Sequence, residues 1–332
     1  MDRVSIIKEG FSDMWGMIAT WRMAIEGITE ASEHLEKGME AGDAVELAVR
    51  RVEDYPFYKS VGYGGLPNEN CEVELDAAFM DGNTLDIGAV AGIRDYSNPV
   101  SIARKLSYEK VNNFLVGIGA EEYAHKNGFE RKNMLTDRAK LHYKKRKKET
   151  LDKGLSPYAG HDTVGMISLD RDGKMCAATS TSGLFMKKRG RIGDSALSGS
   201  GFFVDSNIGG ATATGLGEDL MKGCISYEIV RLMKEGKHPQ EACDIAVNEL
   251  DEQLIKRRGK AGDLSLVAMN NKGEWGVATN IADFTFSVAT KAEEPTVYIS
   301  NRIDGKTIHK VVSNEWMEAY EARIKAPIEV SE

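Results

Sequence analysis

The stretch from His161 to Met221 constrains the fold more than any other part of the chain, because it is unusually dense in glycine and small hydroxylated residues. Glycine is also enriched in the whole sequence, with 34 glycines and only seven prolines among 332 residues, whereas glycine usually makes up ~7% of a protein. Such a composition favours tight turns and close approaches between backbone segments. It is not typical of a collagen-like chain or of a linker.

Local patterns predict strands and helices in the first half of the chain. The segment GMIAT (16–20) is typical of a short strand, and a helical stretch begins near Met23. A second helix is predicted to begin at Asp43, a good N-cap residue, and to stop at Pro56. Two hairpins are predicted, one with its turn at Asp81–Asn83 and one with its turn at Arg171–Gly173.

The second half of the chain places helices between strands. Amphipathic helices are predicted near Glu218–Lys234 and Pro239–Arg258, followed by the strands LSLVAMN, EWGVATN and FTFSVAT. An order of strands, then helices, then strands suits helices that cover packed antiparallel sheets. The sequence therefore predicts an α+β sandwich.

Composition and charge exclude several functional classes. Apolar residues make up 42% of the chain and charged residues 28%, as in globular proteins. The net charge of −8 disfavours a general affinity for nucleic acid. No uncharged stretch exceeds about a dozen residues, which is too short to span a membrane. The first fifteen residues lack the apolar core of a secretory signal, so we expect a cytoplasmic location.

The cysteines and histidines give no sign of a metal site. The four cysteines lie far apart without a CxxC pair, and we interpret them as buried thiols: Cys71, Cys176, Cys224 and Cys243. The six histidines show no HExxH motif or other paired-ligand spacing. We therefore expect neither a metal nor another cofactor. Gly117 and Gly119 resemble the start of a dinucleotide-binding loop, but Glu122 stands where the third glycine belongs.

The segment at about 131–160 differs in composition from the rest of the chain. It contains few apolar residues and the basic run Lys144–Lys148. A nucleic-acid patch or a targeting signal is one interpretation of this run. The acidic net charge of the whole chain favours a second interpretation, a solvated, mobile linker.

Threonine is the residue in the stretch 161–221 whose chemistry needs explaining. A threonine hydroxyl is a weak nucleophile and acts only beside a base, and one available base is its own α-amine if the threonine becomes N-terminal. A free α-amino group has a pKa of ~7.7–8.0. Near neutral pH it can take the hydroxyl proton and later return it to a leaving amine.

Four motifs in this stretch resemble one enzyme family. HDTVG (161–165), ATSTSG (178–183), GRIGDS (190–195) and ATGLGE (213–218) are similar to the N-terminal-nucleophile hydrolases of the glycosylasparaginase (aspartylglucosaminidase) and plant-type asparaginase group. The resemblance extends from about Gly16 to Val297 and includes the TW, VEDYP and SVGYGG segments. It implies a four-layer αββα sandwich in a single catalytic domain, 1–332.

The resemblance also implies self-processing. The chain is expected to cut itself between Asp162 and Thr163, giving an α chain of residues 1–162 and a β chain of residues 163–332 that starts with the nucleophile. An acyl shift from nitrogen to oxygen is favoured where the backbone is strained. Gly165 is expected to permit a strained turn of the backbone at the cleavage site. A homodimer of processed units is implied in the same way, and His161 is interpreted as a residue of the precursor stage or of the structure.

Site residues follow from the matched motif positions. Thr163 is the implied nucleophile, Thr181 its hydrogen-bonding partner, and Thr214 and Gly215 the oxyanion hole. Arg191 can grip a carboxylate, and Asp194 can face an ammonium, so together they fit a free α-amino acid. Trp21 matches the family's tryptophan that packs near the substrate, while Arg22 and Met23 depart from the family pattern. Ser60 and Phe284 are weaker candidates at the rim.

Three functions stay open at this point. The first is hydrolysis of the β-amide of an N4-substituted asparagine, of the N4-(β-N-acetylglucosaminyl)-L-asparagine type, through a β-aspartyl ester that releases aspartate. The aspartate before Thr163 and the TW element favour this branch. The second is an L-asparaginase or isoaspartyl peptidase of the plant type. The third, more remote, is an unprocessed protein that binds an amino acid or a partner without hydrolysis.

Overall fold

Two β-sheets form the centre of the molecule. A computed structural model describes residues 13–153 and 162–329. The strands of the two sheets, in chain order, are β1 (Gly16–Thr20), β2 (Leu75–Asp81), β3 (Ile87–Ile93), β4 (Phe114–Val116), β5 (Val164–Leu169), β6 (Met175–Thr181), β7 (Phe202–Asp205), β8 (Gly209–Gly215), β9 (Leu264–Asn270), β10 (Trp275–Thr279), β11 (Phe284–Thr290), β12 (Glu293–Ile303) and β13 (Lys306–Val311).

Helices cover the outer faces of both sheets. All helices of the described residues, whether or not they cover a sheet, are α1 (Ile25–Glu36), α2 (Ala41–Asp54), α3 (Pro99–Ser107), α4 (Gly117–Lys126), α5 (Asp137–Lys153), α6 (Gly217–Gly223), α7 (Ile225–Lys234), α8 (Pro239–Arg258) and α9 (Asn314–Lys325). A short 3₁₀ turn, Arg22–Ala24, leads into α1.

The sheets and helices stack as four layers. The large sheet has the strand order β13-β12-β11-β1-β5-β6-β2-β3-β4, and the small sheet has the order β10-β9-β8-β7. Helices α1, α2 and α3 pack on the large sheet, while α7 and α8 pack on the small sheet. This arrangement confirms the predicted αββα sandwich. The strands are antiparallel except for β4, which pairs in parallel with β3.

The central strands are buried on both faces, because they lie between helices on one side and the other sheet on the other. In β5, Val164 and Met166 pack in the core shared with the helices, while Ile167 and Leu169 pack in the core between the sheets. This alternation follows from the two-residue period of a strand. It places residues 163, 165 and 167 on the side of β5 that faces the small sheet.

Several boundaries differ from the sequence-based predictions. Helix α2 begins at Ala41, with Glu40 at the N-cap position, so Asp43 is not the cap but pairs with Arg104. The predicted helix 218–234 is two helices, α6 and α7, because Cys224 adopts a left-handed backbone with φ 43°.

The segment interpreted as a linker contains a helix that the sequence did not predict. Helix α5 spans Asp137–Lys153. Residues 154–161, including His161, lie outside the described residues. The mobility of this segment stays a prediction.

The cysteines are less uniformly buried than expected. All four lie in the described residues and are free thiols. Cys176 and Cys243 are buried as predicted, but Cys71 is half-buried and Cys224 is exposed. The interpretation of all four as buried thiols is therefore wrong for two of them.

Within residues 13–153 and 162–329, none of the helices combines the length and apolar character that crossing a bilayer requires. The expected cytoplasmic location stays a prediction.

A buried glutamate connects three elements near the site described below. Glu53 of α2 is fully buried. Its Oε1 accepts hydrogen bonds from the Ser180 hydroxyl of β6 at 2.7 Å and from the backbone N–H of Val100, in the first turn of α3, at 3.1 Å. Burial raises the pKa of this carboxyl to about 8, because the charged form loses its hydration.

We expect Glu53→Gln to change how the free energy of unfolding depends on pH. The pKa of Glu53 is about 8 in the folded chain and 4.5 for an ordinary glutamate. The folded state therefore binds more protons between these two values, and the stability that protonated Glu53 contributes is lost as the pH rises through this window. Relative to the variant, the unmodified chain should lose on the order of 3 kcal/mol between about pH 5 and pH 8.

Urea unfolding at several pH values measures this difference. All three proteins carry Thr163→Ala, which removes the threonine that is expected to cut the chain, so that every sample is a single chain. Glu33→Gln, at an exposed position of α1, is the matched control and should leave the pH dependence unchanged. Parallel curves for the Glu53→Gln variant and the unmodified chain would contradict a proton held at Glu53.

Candidate functional site

Thr163 immediately precedes β5, at a point where the small sheet packs closely against the large one. It is buried, with 7% of its surface exposed. The approach is close because residue 165 is glycine: a Cβ atom there would lie 2.7 Å from the Cβ atom of Thr212 in β8. Gly165 is part of the strand rather than of a turn, so the role expected for it is wrong. Because Gly165 is small, Thr214, which lies two residues after Thr212 in β8, can reach Thr163.

Thr20 holds the backbone on both sides of Val164. Its hydroxyl donates to the carbonyl oxygen of Thr163 at 2.6 Å and accepts from the N–H of Gly165 at 2.9 Å. Thr20 ends β1, which pairs with β5. The backbone at Thr163 is thus fixed from the side of the large sheet.

The hydroxyl of Thr214 accepts two hydrogen bonds. One comes from the backbone N–H of Thr163 at 3.0 Å, and the other comes from the indole N–H of Trp21 at 2.9 Å. A hydroxyl has two acceptor sites and one proton. Because both acceptor sites are used, the proton of Thr214 is left to donate to an oxygen that carries negative charge.

Gly215, the other predicted oxyanion residue, needs to be glycine. Its φ of 141° lies outside the range that other residues adopt easily. A Cβ atom there would lie 2.1 Å from the carbonyl oxygen of Asp263. The backbone next to Thr214 is therefore held in a conformation that a side chain would prevent.

Ser195 is the partner of the Thr163 hydroxyl, and sequence reasoning missed it. The two hydroxyl oxygens lie 3.0 Å apart. The backbone carbonyl of Ser195 accepts from Thr179 Oγ1 at 2.5 Å, which ties it to β6. A signal was present, because Ser195 is the last residue of the GRIGDS motif.

Thr181 contacts the backbone before Thr163. Its hydroxyl lies 3.5 Å from the carbonyl oxygen of Asp162 and accepts from the N–H of Gly183 at 2.9 Å. It also lies 3.4 Å from the carbonyl oxygen of Ser60, so in the described residues it contacts backbone atoms. The hydrogen bond expected between Thr181 and the Thr163 hydroxyl is made instead by Ser195.

Arg191 and Asp194, the residues predicted to recognise the substrate, meet the start of α6. Arg191 makes a bidentate pair with Glu218, with its Nε 2.9 Å from Oε1 and an Nη 2.6 Å from Oε2. Asp194 is buried, and a Cβ atom at Gly217 would lie 2.8 Å from its Oδ1. The GRIGDS and ATGLGE motifs therefore form one surface, in which Glu218 orients the arginine fork. Glu218 is a second residue that sequence reasoning missed.

Trp21 and Ser60 flank the cluster, but Phe284 does not. Trp21 has a φ of 66°, which is strained for a residue other than glycine. Phe284 is fully buried and packs edge-on against Trp21, with the ring centres 4.9 Å apart. It supports Trp21 from the core, so its expected place at the rim is wrong. Ser60 Oγ donates to Asp162 Oδ2 at 3.2 Å.

The chemistry of this cluster rests on hydroxyl groups. Among the described residues, the side chains that hydrogen-bond Thr163 are those of Thr20, Thr214 and Ser195. A search of the same residues for three or more His, Cys, Asp or Glu side chains able to hold a metal ion finds no group. None of the three contacting side chains is a strong base at neutral pH. The side chains that contact Thr163 in the described residues thus position its hydroxyl without offering a strong base.

Comparisons with known proteins place this arrangement in a family. The sequence profile described as "Asparaginase" matches residues 15–299. A protein of Elizabethkingia miricola named N(4)-(beta-N-acetylglucosaminyl)-L-asparaginase is 41% identical over 82% of this chain and 80% of its own length. A rat protein of the same name is 31% identical over 82% of this chain and 87% of its own length. The isoaspartyl peptidase/L-asparaginase of Xenopus laevis is 34% identical over 77% of this chain and 82% of its own length.

We expect Thr20→Val to destabilise the chain. The substitution keeps the shape of the side chain but leaves the Thr163 carbonyl and the Gly165 N–H without the hydroxyl that now satisfies both. An unsatisfied buried polar group costs about 1–3 kcal/mol. The free energy of unfolding in urea, in a Thr163→Ala background, should fall by this amount.

Thr29→Val is the matched control. Thr29 is an exposed residue of α1 whose hydroxyl bonds only within its own helix, to the carbonyl of Ile25. Its loss should change the stability by less than about 0.5 kcal/mol. Equal effects of the two substitutions would show that Thr20 does not fix the nucleophile's backbone.

Proposed function

The chain belongs to the asparaginase family, and from this premise we propose that it is a self-processing amidohydrolase with Thr163 as its nucleophile. The substrate is the β-amide of an N4-substituted asparagine, and aspartate is released. The observation that carries this proposal is the buried Thr163, whose hydroxyl and nitrogen each contact a fixed hydroxyl group, those of Ser195 and Thr214.

Self-processing begins in the uncut chain. The Thr163 hydroxyl attacks the carbonyl carbon of Asp162, the C–N bond breaks, and the hydroxyl proton passes to the departing nitrogen. Thr181, 3.5 Å from the Asp162 carbonyl oxygen, is placed to stabilise the charge on that oxygen. Water then hydrolyses the ester, which frees the carboxylate of Asp162 and both the hydroxyl and the amine of Thr163.

The freed amine supplies the missing base. It takes the Thr163 hydroxyl proton while the oxygen attacks the β-amide carbon of the substrate. The Thr214 hydroxyl proton and the Gly215 N–H stabilise the resulting oxyanion. The amine returns the proton to the leaving nitrogen, and water cleaves the β-aspartyl ester. Losing one oxyanion donor of this kind typically costs about 10²–10³ in rate.

Recognition of the aspartyl part falls to Arg191 and Asp194. Glu218 occupies two donors of the arginine fork and holds its plane, which leaves the other donors for the substrate α-carboxylate. Asp194 faces the α-ammonium. A free amino acid satisfies both groups, and asparagine inside a peptide satisfies neither.

The name of the Elizabethkingia relative supports a glycosylated asparagine as substrate, and the aspartate at 162 agrees with the sequence pattern that favours this branch. The Xenopus relative supports the alternative, an isoaspartyl peptidase or L-asparaginase. A homodimer of processed units belongs to the same proposal.

We expect the purified chain to separate into two fragments under denaturing conditions, each with about half of the full-length mass. N-terminal sequencing of the second fragment should begin at Thr163. The Thr163→Ala variant should stay whole and inactive, because both the attacking oxygen and the proton it delivers are lost. Thr29→Ala, at an exposed helical position, should be cut normally. An intact chain that still hydrolyses the amide would rule out this mechanism.

We expect N4-(β-N-acetylglucosaminyl)-L-asparagine to be hydrolysed with a higher kcat/KM than β-aspartyl dipeptides or free asparagine. The same assay distinguishes the alternatives, since all three substrates share the aspartyl part and differ in the leaving amine. A higher kcat/KM for the β-aspartyl dipeptides would favour the isoaspartyl peptidase. Binding without turnover by a correctly cut enzyme would favour an amino-acid-binding protein.

A further inference from the structure

Lys187 is buried in the loop that follows β6, although lysine is among the residues that are least often buried. Only 1% of its surface is exposed, while the next residue along the chain, Lys188, is exposed. Taking an ammonium group out of water is costly unless its charge is compensated. The mechanism proposed above does not use this charge.

Asp76 of β2 carries an opposite charge next to Lys187, but the two groups do not form a close ion pair. Asp76 is fully buried, and its Oδ2 lies 4.0 Å from the Lys187 Nζ. Its Oδ1 accepts a hydrogen bond from the N–H of Gly92 at 2.7 Å. Within the described residues, neither Asp76 Oδ2 nor Lys187 Nζ has a hydrogen-bond partner. The two side chains therefore interact through their charges, since a hydrogen bond between them would have an N–O distance of ~2.7–2.9 Å.

Lys187 lies beside the arginine that is proposed to bind the substrate α-carboxylate. A Cβ atom at Gly183 would lie 2.9 Å from the Nζ of Lys187 and 3.5 Å from an Nη of Arg191. Gly183 has a φ of 76°, and its N–H donates to the Thr181 hydroxyl at 2.9 Å. A glycine of the ATSTSG motif thus leaves the space in which a second, buried cation lies next to Arg191.

Asp76 reaches the same site from the large sheet. In the pairing of β2 with β6 it lies directly opposite Thr181, and opposite residues of paired strands project from the same face of a sheet. Burial raises the pKa of the Asp76 carboxyl, while the positive charges of Lys187 and Arg191 act against that rise. The charge of Asp76 therefore acts on Arg191 as well as on Lys187.

The two buried charges act on a substrate carboxylate with opposite signs. Asp76 repels a carboxylate that is bound at Arg191, and Lys187 attracts it. Solvent screens the fields of buried groups much less than it screens the field of a surface charge. Glu218, the hydrogen-bonded acidic partner of Arg191, has 44% of its side chain exposed, so its charge is screened more than that of Asp76.

We propose that Lys187 is a positioning residue for substrate recognition, whose ammonium offsets the charge of Asp76 and keeps the α-carboxylate site at Arg191 positive. The substrate carboxylate binds to Arg191, and Lys187 acts through that arginine without contacting the substrate. This inference rests on the proposed function, because it concerns the recognition part of the same site. It adds a requirement: the free α-carboxylate is selected by two cations, and one of them is buried.

Two ligands that differ in one charge test the proposal on the processed enzyme. L-Aspartate carries a free α-carboxylate, and its α-amide lacks that charge. Calorimetry at about pH 8, where the charged form of Asp76 is favoured over that at lower pH, gives the Kd of each ligand. In Lys187→Met, which keeps an unbranched side chain, we expect the Kd of L-aspartate to rise about tenfold. The Kd of the α-amide should change by less than about twofold.

The sign of the effect separates an electrostatic role from a structural one. Asp76→Asn removes a negative charge, so it should not weaken the binding of L-aspartate. The double variant, Asp76→Asn with Lys187→Met, should bind L-aspartate within about threefold of the unmodified enzyme. A pair that only held the fold together would behave differently, because loss of either partner would leave a buried charge uncompensated and weaken the binding of both ligands.

Lys188→Met is the matched control. It removes the charge of the neighbouring lysine, which is exposed in the same loop. Since solvent screens an exposed charge, both Kd values should stay within about twofold of those of the unmodified enzyme.

Kinetics give a second measurement. For N4-(β-N-acetylglucosaminyl)-L-asparagine, Lys187→Met should raise KM about tenfold and change kcat by less than about threefold, because the hydroxyl groups around Thr163 are not altered. A smaller amount of correctly folded enzyme would instead lower the apparent kcat and leave KM unchanged.

The inference and the proposed function fail in different ways. L-Aspartate binding that depends on Lys187, without hydrolysis of any substrate, would reject the proposed function and keep the recognition role of Lys187. Hydrolysis with a KM that Lys187→Met does not change would reject the inference and keep the proposed function.

Three further results would overturn the inference. The first is equal weakening of L-aspartate and α-amide binding in Lys187→Met. The second is weakening of L-aspartate binding by Asp76→Asn to the same extent as by Lys187→Met. The third is failure of both Lys187→Met and the double variant to give folded, processed enzyme, which would assign Lys187 to stability alone.

Discussion

The close approach of the two sheets at Gly165 is the constraint on which the site depends. A side chain at this position would collide with Thr212, so glycine lets β8 lie directly against β5. Thr214 then reaches the nitrogen of Thr163 from the small sheet, while Thr20 holds the carbonyl from the large sheet. Thr163 is therefore positioned by strands on both sides, which hold geometry better than loops.

Fixed hydroxyl groups surround Thr163 in place of the charged side chains that many hydrolases use. Two of these residues have further contacts that limit their roles. The Thr214 hydroxyl has only its proton left to donate, and the backbone carbonyl of Ser195 is hydrogen-bonded by Thr179. A hydroxyl cluster orients a nucleophile but does not deprotonate it. In the proposed function the nitrogen of Thr163 supplies that base once it is an amine.

The sequence indicates the motif residues but not the partners that the fold brings to them. Thr163, Thr181 and Thr214 were predicted as site residues because they occupy ordered motifs, and the alternation of strands and helices was enough to predict the sandwich. Ser195 and Thr20 were missed because their roles depend on strands that meet only in the fold: Thr20 is 143 residues from Thr163. The break at Cys224 was missed because a left-handed residue between two helices leaves the apolar pattern intact.

Asp162 connects the two halves of the proposed site. On one side, Arg191, Asp194 and Glu218 present charges suited to the free end of an aspartyl group. On the other side, Asp162 lies in the wall of a cavity of about 480 Å³, and Ser60 donates a hydrogen bond to its carboxylate. In the proposed self-processing, Asp162 is itself the acyl group that Thr163 attacks, so the chain acts as its own first substrate.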